Sequence, residues 1–293
     1  MVSKYQIWFD NAFQLLAEND EYASIRNFNG GIFRLLKEEK TKEILHEINT
    51  MMEKFFDVLA NKNFLHEIDQ CLSSYFKHIR KIGLDNEYIL LLLNIPRSCE
   101  NISLNYKIFS NVFNYLQEQK KEINSQALDQ LYNEMYWFIH TVESNDDNIH
   151  NYLLNSYVLL IEIALSRNNY SDVEICIVEI FDNIKLEIED KVFFHILMVL
   201  ILALNADLST SLEEIQELRK KKELKHQEIF KAGIDLILAI RAEDEEWFEE
   251  THHFVANQFK NDSNKTKIYK NVILSLQRQY FPKKQKTGLF DLF

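Results

Sequence analysis

The chain has 293 residues, is 46% hydrophobic, and contains only 5 glycines and 2 prolines, against roughly 20 and roughly 15 in an average chain of this length. Because β-sandwiches, barrels and Rossmann folds need many tight turns, this composition argues against them and predicts an all-α protein. The formal net charge of −12 argues against a nucleic-acid-binding surface over the whole molecule, since phosphates are contacted by clustered lysine and arginine.

The beginning of the chain, MVSKYQIWFD, contains an acidic residue and lacks the apolar run of a signal peptide. Cys71, Cys99 and Cys176 are widely separated and form no CxxC pair. These features predict a cytoplasmic protein with reduced, buried thiols.

Residues 1–145 show helical periodicity without a repeat, which predicts an N-terminal helical bundle. Two breaks between helices are expected, at residues 27–31 (NFNGG) and 94–98 (NIPRS). A phosphate-binding loop at Gly30-Gly31 is not favoured, because no strand precedes the glycines and no GxGxxG motif follows. Residues 143–148 (ESNDDN) are the best candidate boundary to the next domain.

The longest apolar stretch, residues 192–206, contains His195 and is shorter than the roughly 20 residues of a membrane span. It predicts a fully buried helix. The single histidine is interpreted as a core residue rather than a metal ligand.

Small residues recur in the second half of the chain, at Ala164, Ala203, Ala239 and Ser275, with spacings of 39, 36 and 36. A small residue at a fixed place in each unit allows two helices to approach closely, which is typical of stacked helix pairs.

N-cap signals stand near the same helix starts. Ser171 with Glu174, and Ser211 with Glu214, have the spacing of capping boxes. Asp244, three residues before Trp247, is a further expected N-cap. The sequence therefore predicts three helix starts in this half of the chain.

The stretch ALSRNNYSDVEICIVEIF, residues 164–181, resembles the turn of a tetratricopeptide repeat. Tyr170 follows the turn as in that family, whereas Arg167 and Asn168 stand where the family has glycine. The resemblance implies a TPR-like α-solenoid of antiparallel helix pairs over residues 146–281. A looser solenoid of helical hairpins fits equally well.

Three Glu-x-x-His pairs have the spacing found in di-iron carboxylate bundles, where glutamate and histidine share one helix face. They are Glu43 with His46, Glu249 with His252, and Glu250 with His253. Such sites also need two inward-facing glutamates from other helices, and these pairs lie in acidic, surface-like segments. No nucleophile motif is present. We therefore expect no catalytic, cofactor-binding or metal-binding residues; a metal-dependent helical enzyme is an alternative.

The chain ends on KKQKTGLFDLF after a helix expected from about Lys265 to Gln279 and stopped by Pro282. Residues 282–293 are predicted to form a flexible C-terminal tail: a basic spacer followed by four large apolar side chains. A terminal segment of this kind can enter a partner's pocket without rearranging the folded body. The predicted partner-binding residues are Lys283, Lys284, Lys286, Leu289, Phe290, Asp291, Leu292 and Phe293.

The LFDLF motif, residues 289–293, resembles two kinds of sliding-clamp-binding peptide. Phe290-Asp291-Leu292-Phe293 matches the last four positions of bacterial clamp ligands, with Leu289 at their glutamine position. Tails at the ends of some phage polymerases are also similar. The resemblance implies recruitment to a DNA sliding clamp, and the lysines would add at most weak nucleic-acid contact. Another partner, a groove in an oligomer of this chain, and packing onto its own body are the alternatives.

These features predict a non-enzymatic adaptor: a helical-repeat scaffold that binds protein or peptide and is recruited through its tail. The C-terminal half also loosely resembles the repeat domains of bacterial Rgg and Rap regulators. That resemblance implies a cytoplasmic peptide-sensing regulator, here without a DNA-binding domain.

Overall fold

The computed structural model describes residues 5–38, 42–62, 64–82, 90–98, 101–118, 125–141, 147–220 and 228–282. These ranges contain thirteen α-helices of 12 or more residues and no strand, which confirms the all-α class. The helices are α1 (Gln6–Ala17), α2 (Glu21–Glu38), α3 (Lys42–Asn61), α4 (Leu65–Ile82), α5 (Ile102–Glu118), α6 (Ser125–Thr141), α7 (Asp147–Ser166), α8 (Tyr170–Asn183), α9 (Ile188–Leu204), α10 (Leu208–Lys220), α11 (Glu228–Ala242), α12 (Glu245–Gln258) and α13 (Ser263–Tyr280).

The chain divides into two compact units, Met1–Ser156 and Tyr157–Phe293, and within each unit helices pack largely against their sequence neighbours. The predicted limits of a bundle (1–145), a repeat domain (146–281) and a tail (282–293) stay predictions. Residues 143–146 of the expected boundary segment lie outside the described residues.

Aromatic side chains form the centre of the N-terminal unit. The rings of Phe28 and Phe55 stack with centroids 3.9 Å apart, and Phe9 meets Phe28 edge-on at 5.2 Å. All three side chains are fully buried. The edge-on contact of Phe9 with Phe28 is favourable because of the ring quadrupoles, and all three rings bury a large apolar area. They join α1, α2 and α3 into one core.

The break expected at Gly30-Gly31 is wrong, because both glycines lie inside α2. A Cβ atom added to Gly30 would lie 2.9 Å from the Trp8 ring, and one added to Gly31 would lie 2.9 Å from the Phe9 ring. The glycines therefore let the aromatic rings of α1 reach the backbone of α2. The second expected break, residues 94–98, falls in the short helical segments Leu91–Asn94 and Ile95–Ser98, between α4 and α5.

Helix α9 is the centre of the C-terminal unit and packs against α8, α10, α11 and α13. Ten of its side chains are buried, which confirms the buried helix predicted from residues 192–206. His195 lies at the edge of this core and stacks on Phe181 with ring centroids 4.4 Å apart. No helix among the described residues is both long and apolar enough to cross a membrane.

Helix α13 runs alongside α9 in the same direction. At the start of both helices the Lys265 ammonium lies 2.6 Å from Asp190. At their ends Tyr280 donates a hydrogen bond to the Ala203 carbonyl at 2.6 Å, and Gln279 donates to the Leu204 carbonyl at 3.2 Å. Carbonyls in the last turn of a helix lack the intrahelical partners of interior ones. Gln279 supplies a donor to Leu204 at this end, and Tyr280 adds a second bond to the Ala203 carbonyl, which also accepts from the Ala206 N–H at 3.0 Å.

One turn type recurs between the paired helices of this unit. Asn168, Ala206 and Glu243 have φ angles of 54°, 64° and 54°, at sequence intervals of 38 and 37 residues. The next residue's N–H reaches back to a carbonyl in the last turn of the preceding helix at 3.0 Å in all three cases. This is the Schellman motif, which usually has glycine at the positive-φ position. Asn168 thus takes the conformation that the missing turn glycine would provide.

The residue after each positive-φ position caps the following helix. Asn169, Asp207 and Asp244 accept a hydrogen bond from the backbone N–H three residues later, at 3.2, 2.9 and 2.9 Å. The prediction for Asp244 is confirmed, whereas those for Ser171 and Ser211 are wrong, because both serines lie inside helices. The Schellman turn places its asparagine or aspartate at the helix start, so the helices begin before these serines.

Candidate functional site

All the predicted partner-binding residues lie outside the described residues. They are Lys283, Lys284, Lys286, Leu289, Phe290, Asp291, Leu292 and Phe293. The structure does show where the chain reaches them. Helix α13 ends at Tyr280, one residue beyond the expected end, and the Phe281 ring packs on Phe248 of α12 at 5.1 Å. The chain therefore leaves the C-terminal unit beside the start of α12.

A groove runs between α11 and α12 in the C-terminal unit and widens toward the beginnings of α9 and α13. Its wide end is a hollow of about 710 Å³, and its narrow end is a hollow of about 390 Å³; Glu228 and Phe254 line both. We call this surface the α11–α12 groove. Its principal lining residues are Ile188, Glu189, Glu228, Lys231, Asp235, Trp247, Glu250, Phe254, Asp262 and Lys265.

The outer face of α12 forms one wall of the groove. Trp247, Glu250, Phe254 and Gln258 recur at helical spacing and line it, while Phe248 on another face is fully buried. Residues three or four apart share a helix face, so α12 presents aromatic side chains on two of its sides. That pattern is visible in the sequence, but it does not reveal which aromatic side chain stays exposed.

The floor of the groove is apolar and partly open. The Phe254 side chain is 39% exposed and that of Ile188 is 49% exposed. Below them Phe259 packs edge-on against Phe193 with ring centroids 5.0 Å apart. A well-packed base beneath exposed apolar side chains is typical of ligand and protein-binding grooves.

The rim of the groove is acidic. Five carboxylates line it, against the two ammonium groups of Lys231 and Lys265. Lys265 is already paired with Asp190 at 2.6 Å and with Asp262 at 3.5 Å. Burial disfavours its charged form, but the hydrogen bond and attraction of Asp190, together with Asp262, outweigh burial and raise the pKa of Lys265. The groove therefore presents net negative charge to a ligand.

The structure brings together only part of the expected Glu/His pairs. Glu249 Oε2 lies 2.8 Å from His252 Nε2 and 3.9 Å from His253 Nε2. Glu250 instead lines the groove. Glu249, His252 and His253 could offer three ligands to a metal ion.

Two features set this cluster apart from a di-iron bundle, which takes further glutamates from partner helices. On the facing helix, Gln277 donates a hydrogen bond to Glu249. Among the described residues no carboxylate from a second helix joins the cluster. For the third pair, the structure describes the exposed position of His46 but not the side chain of Glu43.

Two of the three thiols can be placed. Cys71 and Cys176 are buried thiols outside any disulfide, as expected, and Cys99 lies outside the described residues. Burial, assisted by the negative charge of Glu67, raises the pKa of Cys71 to about 12. Because the thiolate is the reactive form, this burial disfavours nucleophilic chemistry at Cys71.

Comparison with known proteins identifies no family. No protein-family model matches the chain, and no curated protein sequence matches it significantly. The function is therefore inferred from the groove and from the terminal motif.

Proposed function

We propose that this protein is a non-enzymatic adaptor, recruited to a protein partner through residues 289–293, with a DNA sliding clamp as the leading candidate partner. The observation that carries the proposal is the LFDLF motif, which follows within ten residues of an anchored helix end. Tyr280 and Phe281 attach that end to α9 and α12. The motif thus has a defined starting point on a packed body.

The affinity would come from burying Phe290, Leu292 and Phe293 in a pocket of the partner, since aromatic and aliphatic anchors dominate binding energy. Lys283, Lys284 and Lys286 would speed association with an acidic rim through electrostatic steering. Binding should accordingly weaken at high salt mainly through a slower association rate.

The test is titration of the purified sliding clamp from the source cell with the full chain and with a Phe290→Ala/Phe293→Ala variant. We expect at least a ten-fold loss of affinity, because hot-spot aromatics contribute about 2 kcal/mol or more each. A Gln285→Ala/Thr287→Ala variant is the matched control and should bind normally. Pull-downs from source-cell lysate with the same chains would identify another tail-dependent partner. Equal recovery of all partners by the three chains would refute recruitment through the tail.

We also propose that the C-terminal unit is a set of helical-hairpin repeats of the looser kind. Its support is the Schellman turn repeated at Asn168, Ala206 and Glu243. The packing of α13 along α9, two hairpins earlier, goes beyond the neighbour-only packing of an extended TPR solenoid. Scattering by the full chain in solution would test this, since an extended solenoid has a larger radius of gyration than a compact domain of equal length.

The α11–α12 groove favours a second candidate, the peptide-sensing regulator. An open apolar floor within an acidic rim suits a short basic peptide with apolar side chains. Thermal melting with synthetic peptides of equal length and opposite charge is the test. Stabilisation by the basic, apolar peptides alone would support a sensor; no shift with any of them would exclude this function.

A further inference from the structure

We propose that the α11–α12 groove is the binding site for the chain's own C-terminal residues 283–293. The proposal rests on the proposed function, because it assigns a resting place to the segment that recruits the partner. A partner would then have to displace the tail from the groove. The tail's apparent affinity for any partner would be reduced by the fraction of chains in which the groove is filled.

The charges of the groove and the tail are complementary. The groove exposes the carboxylates of Glu228, Asp235 and Glu250 along α11 and α12, and the tail carries lysines at 283, 284 and 286. A basic segment lying along an acidic rim gains favourable Coulomb energy and correct orientation. Lys231 of α11 lines the same part of the groove, so three carboxylates stand there against one ammonium group.

The order of features along the tail also matches the groove. Its basic residues come first and its apolar residues come last. The narrow end, nearest Phe281 and the end of α13, is lined by Trp247 and Glu250, and the wide end adds the apolar side chains of Ile188, Val192 and Phe259. Carboxylates line both ends, so the match in order rests on the apolar residues, which come last in the tail and are more numerous at the wide end.

The tail is long enough to fill the groove. From Trp247 to Gln258 the α12 wall is about 17 Å long, at about 1.5 Å per helical residue. Eleven extended residues reach about 36 Å. Crossing the roughly 10 Å width of α12 from Phe281 to the groove leaves enough chain to lie along the whole wall.

The experiment measures binding of a fluorescent peptide, KKQKTGLFDLF, to the full chain and to its Phe290→Ala/Phe293→Ala variant. In the unaltered chain the attached tail competes at an effective concentration of about 1 mM. If the free peptide binds with a dissociation constant of about 0.1 mM, the variant should bind it about ten-fold more tightly than the unaltered chain. Equal binding by the two chains would overturn the proposal.

Groove substitutions locate the binding. In the Phe290→Ala/Phe293→Ala background, Asp235→Lys/Glu250→Lys should abolish peptide binding, whereas Asp182→Lys/Glu213→Lys, with the same change in charge at exposed positions elsewhere, should preserve it. If the Asp235→Lys/Glu250→Lys variant fails to fold, Phe254→Ala provides a second groove variant that leaves the charge unchanged. Peptide binding that survives both groove variants would also overturn the proposal.

Two further measurements separate this inference from the proposed function and from binding between copies. Titration of the partner measures recruitment through the tail. If a partner binds through the tail but the free peptide does not bind the groove, the inference is wrong and the proposed function still stands. Peptide binding to the groove with no tail-dependent partner would remove only the proposed function. Sedimentation of the full chain should show a monomer; tail-dependent dimers would overturn binding within one chain, because the tail would then occupy a second copy.

Discussion

The α1–α2 hairpin of the N-terminal unit and the α11–α12 hairpin of the C-terminal unit are joined by the same turn. Asn19 and Glu243 have φ angles of 61° and 54°, and each is followed by an aspartate that accepts a backbone hydrogen bond from the next helix. In α1–α2 the aromatic residue Phe28 faces inward and is fully buried. In α11–α12 the aromatic residue Phe254 stays 39% exposed at the groove.

This difference teaches that the turn and the packing are specified separately. The turn is a local arrangement of a few residues, so the same chemistry recurs in both units. The use of each helix face depends on what the rest of its unit brings against it. At Phe28 the helix face closes a core, and at Phe254 it stays partly exposed along a groove.

The largest expected effect is a difference in the free energy of unfolding between variants at the two aromatic positions. Phe28→Ala should cost about 3–5 kcal/mol in the free energy of unfolding, because it removes a fully buried ring and leaves a cavity. Phe254→Ala should cost less than about 1.5 kcal/mol, because much of its ring is already in water. Urea unfolding of both variants gives the comparison. An equal cost would mean that Phe254 is a core residue, which would undermine the groove.

The next effect concerns the glycines inside helices. Gly31→Ala should destabilise by about 1–2 kcal/mol, because the new Cβ meets the rigid Phe9 ring and overpacking outweighs the gain in helix propensity. Gly233→Ala should cost less, although its Cβ would overlap Ile215 Cδ1, since a terminal methyl group can rotate away. Thermal unfolding of the two variants measures the difference, and a stabilised Gly31→Ala protein would contradict the close approach of α1.

A smaller effect of opposite sign is expected at the turns. Ala206→Gly should stabilise by about 1 kcal/mol, because glycine adopts positive φ without a Cβ clash. Asn19→Gly should gain less, since asparagine tolerates this conformation. Ala203→Gly, inside α9, is the control and should lose about 1 kcal/mol. The denaturant midpoints of the three variants measure these changes in stability. If Ala206→Gly is no more stable than the unaltered protein, strain at this turn is excluded.

The smallest expected effect is a pH dependence at the cap of α10. Hydrogen bonds from Thr210 lower the pKa of Asp207 below its ordinary value of about 3.8. The charged cap therefore adds stability above that ordinary value, and this stability is lost as the pH falls through the lowered pKa. Asp207→Asn keeps the capping geometry and should flatten the fall in melting temperature between about pH 5 and about pH 2 relative to the unaltered protein. Identical pH profiles for the variant and the unaltered protein would contradict the cap's contribution.

Several features of the fold could be predicted because they are local. Scarce glycine and proline predict helices, and the apolar run at residues 192–206 predicts the buried helix α9. The end of α13 near Pro282 and the N-cap at Asp244 follow from rules that involve a few neighbouring residues. Each of these features needs no knowledge of what packs against it.

The errors have non-local or geometric causes. Gly30-Gly31 has the appearance of a break, yet the rings of Trp8 and Phe9 make it the contact face of a continuous helix. Ser171 and Ser211 fit the capping-box pattern, but the Schellman turns start the helices earlier, at Asn169 and Asp207. A positive φ at Asn168, Ala206 and Glu243 has no simple sequence signal, since only the first is a residue type that favours it.

The amino-acid sequence by itself determines the helical class, the central apolar helix, the acidic charge and the chemistry of the terminal motif. Composition and short-range periodicity are sufficient for each of these. Only the tertiary structure decides that α13 lies along α9, that α1 packs against the glycines of α2, and that Phe254 is left exposed beside an acidic rim. These outcomes depend on contacts between residues far apart in the chain. A helix face is buried only when a distant segment packs against it, and short-range sequence patterns do not identify that segment.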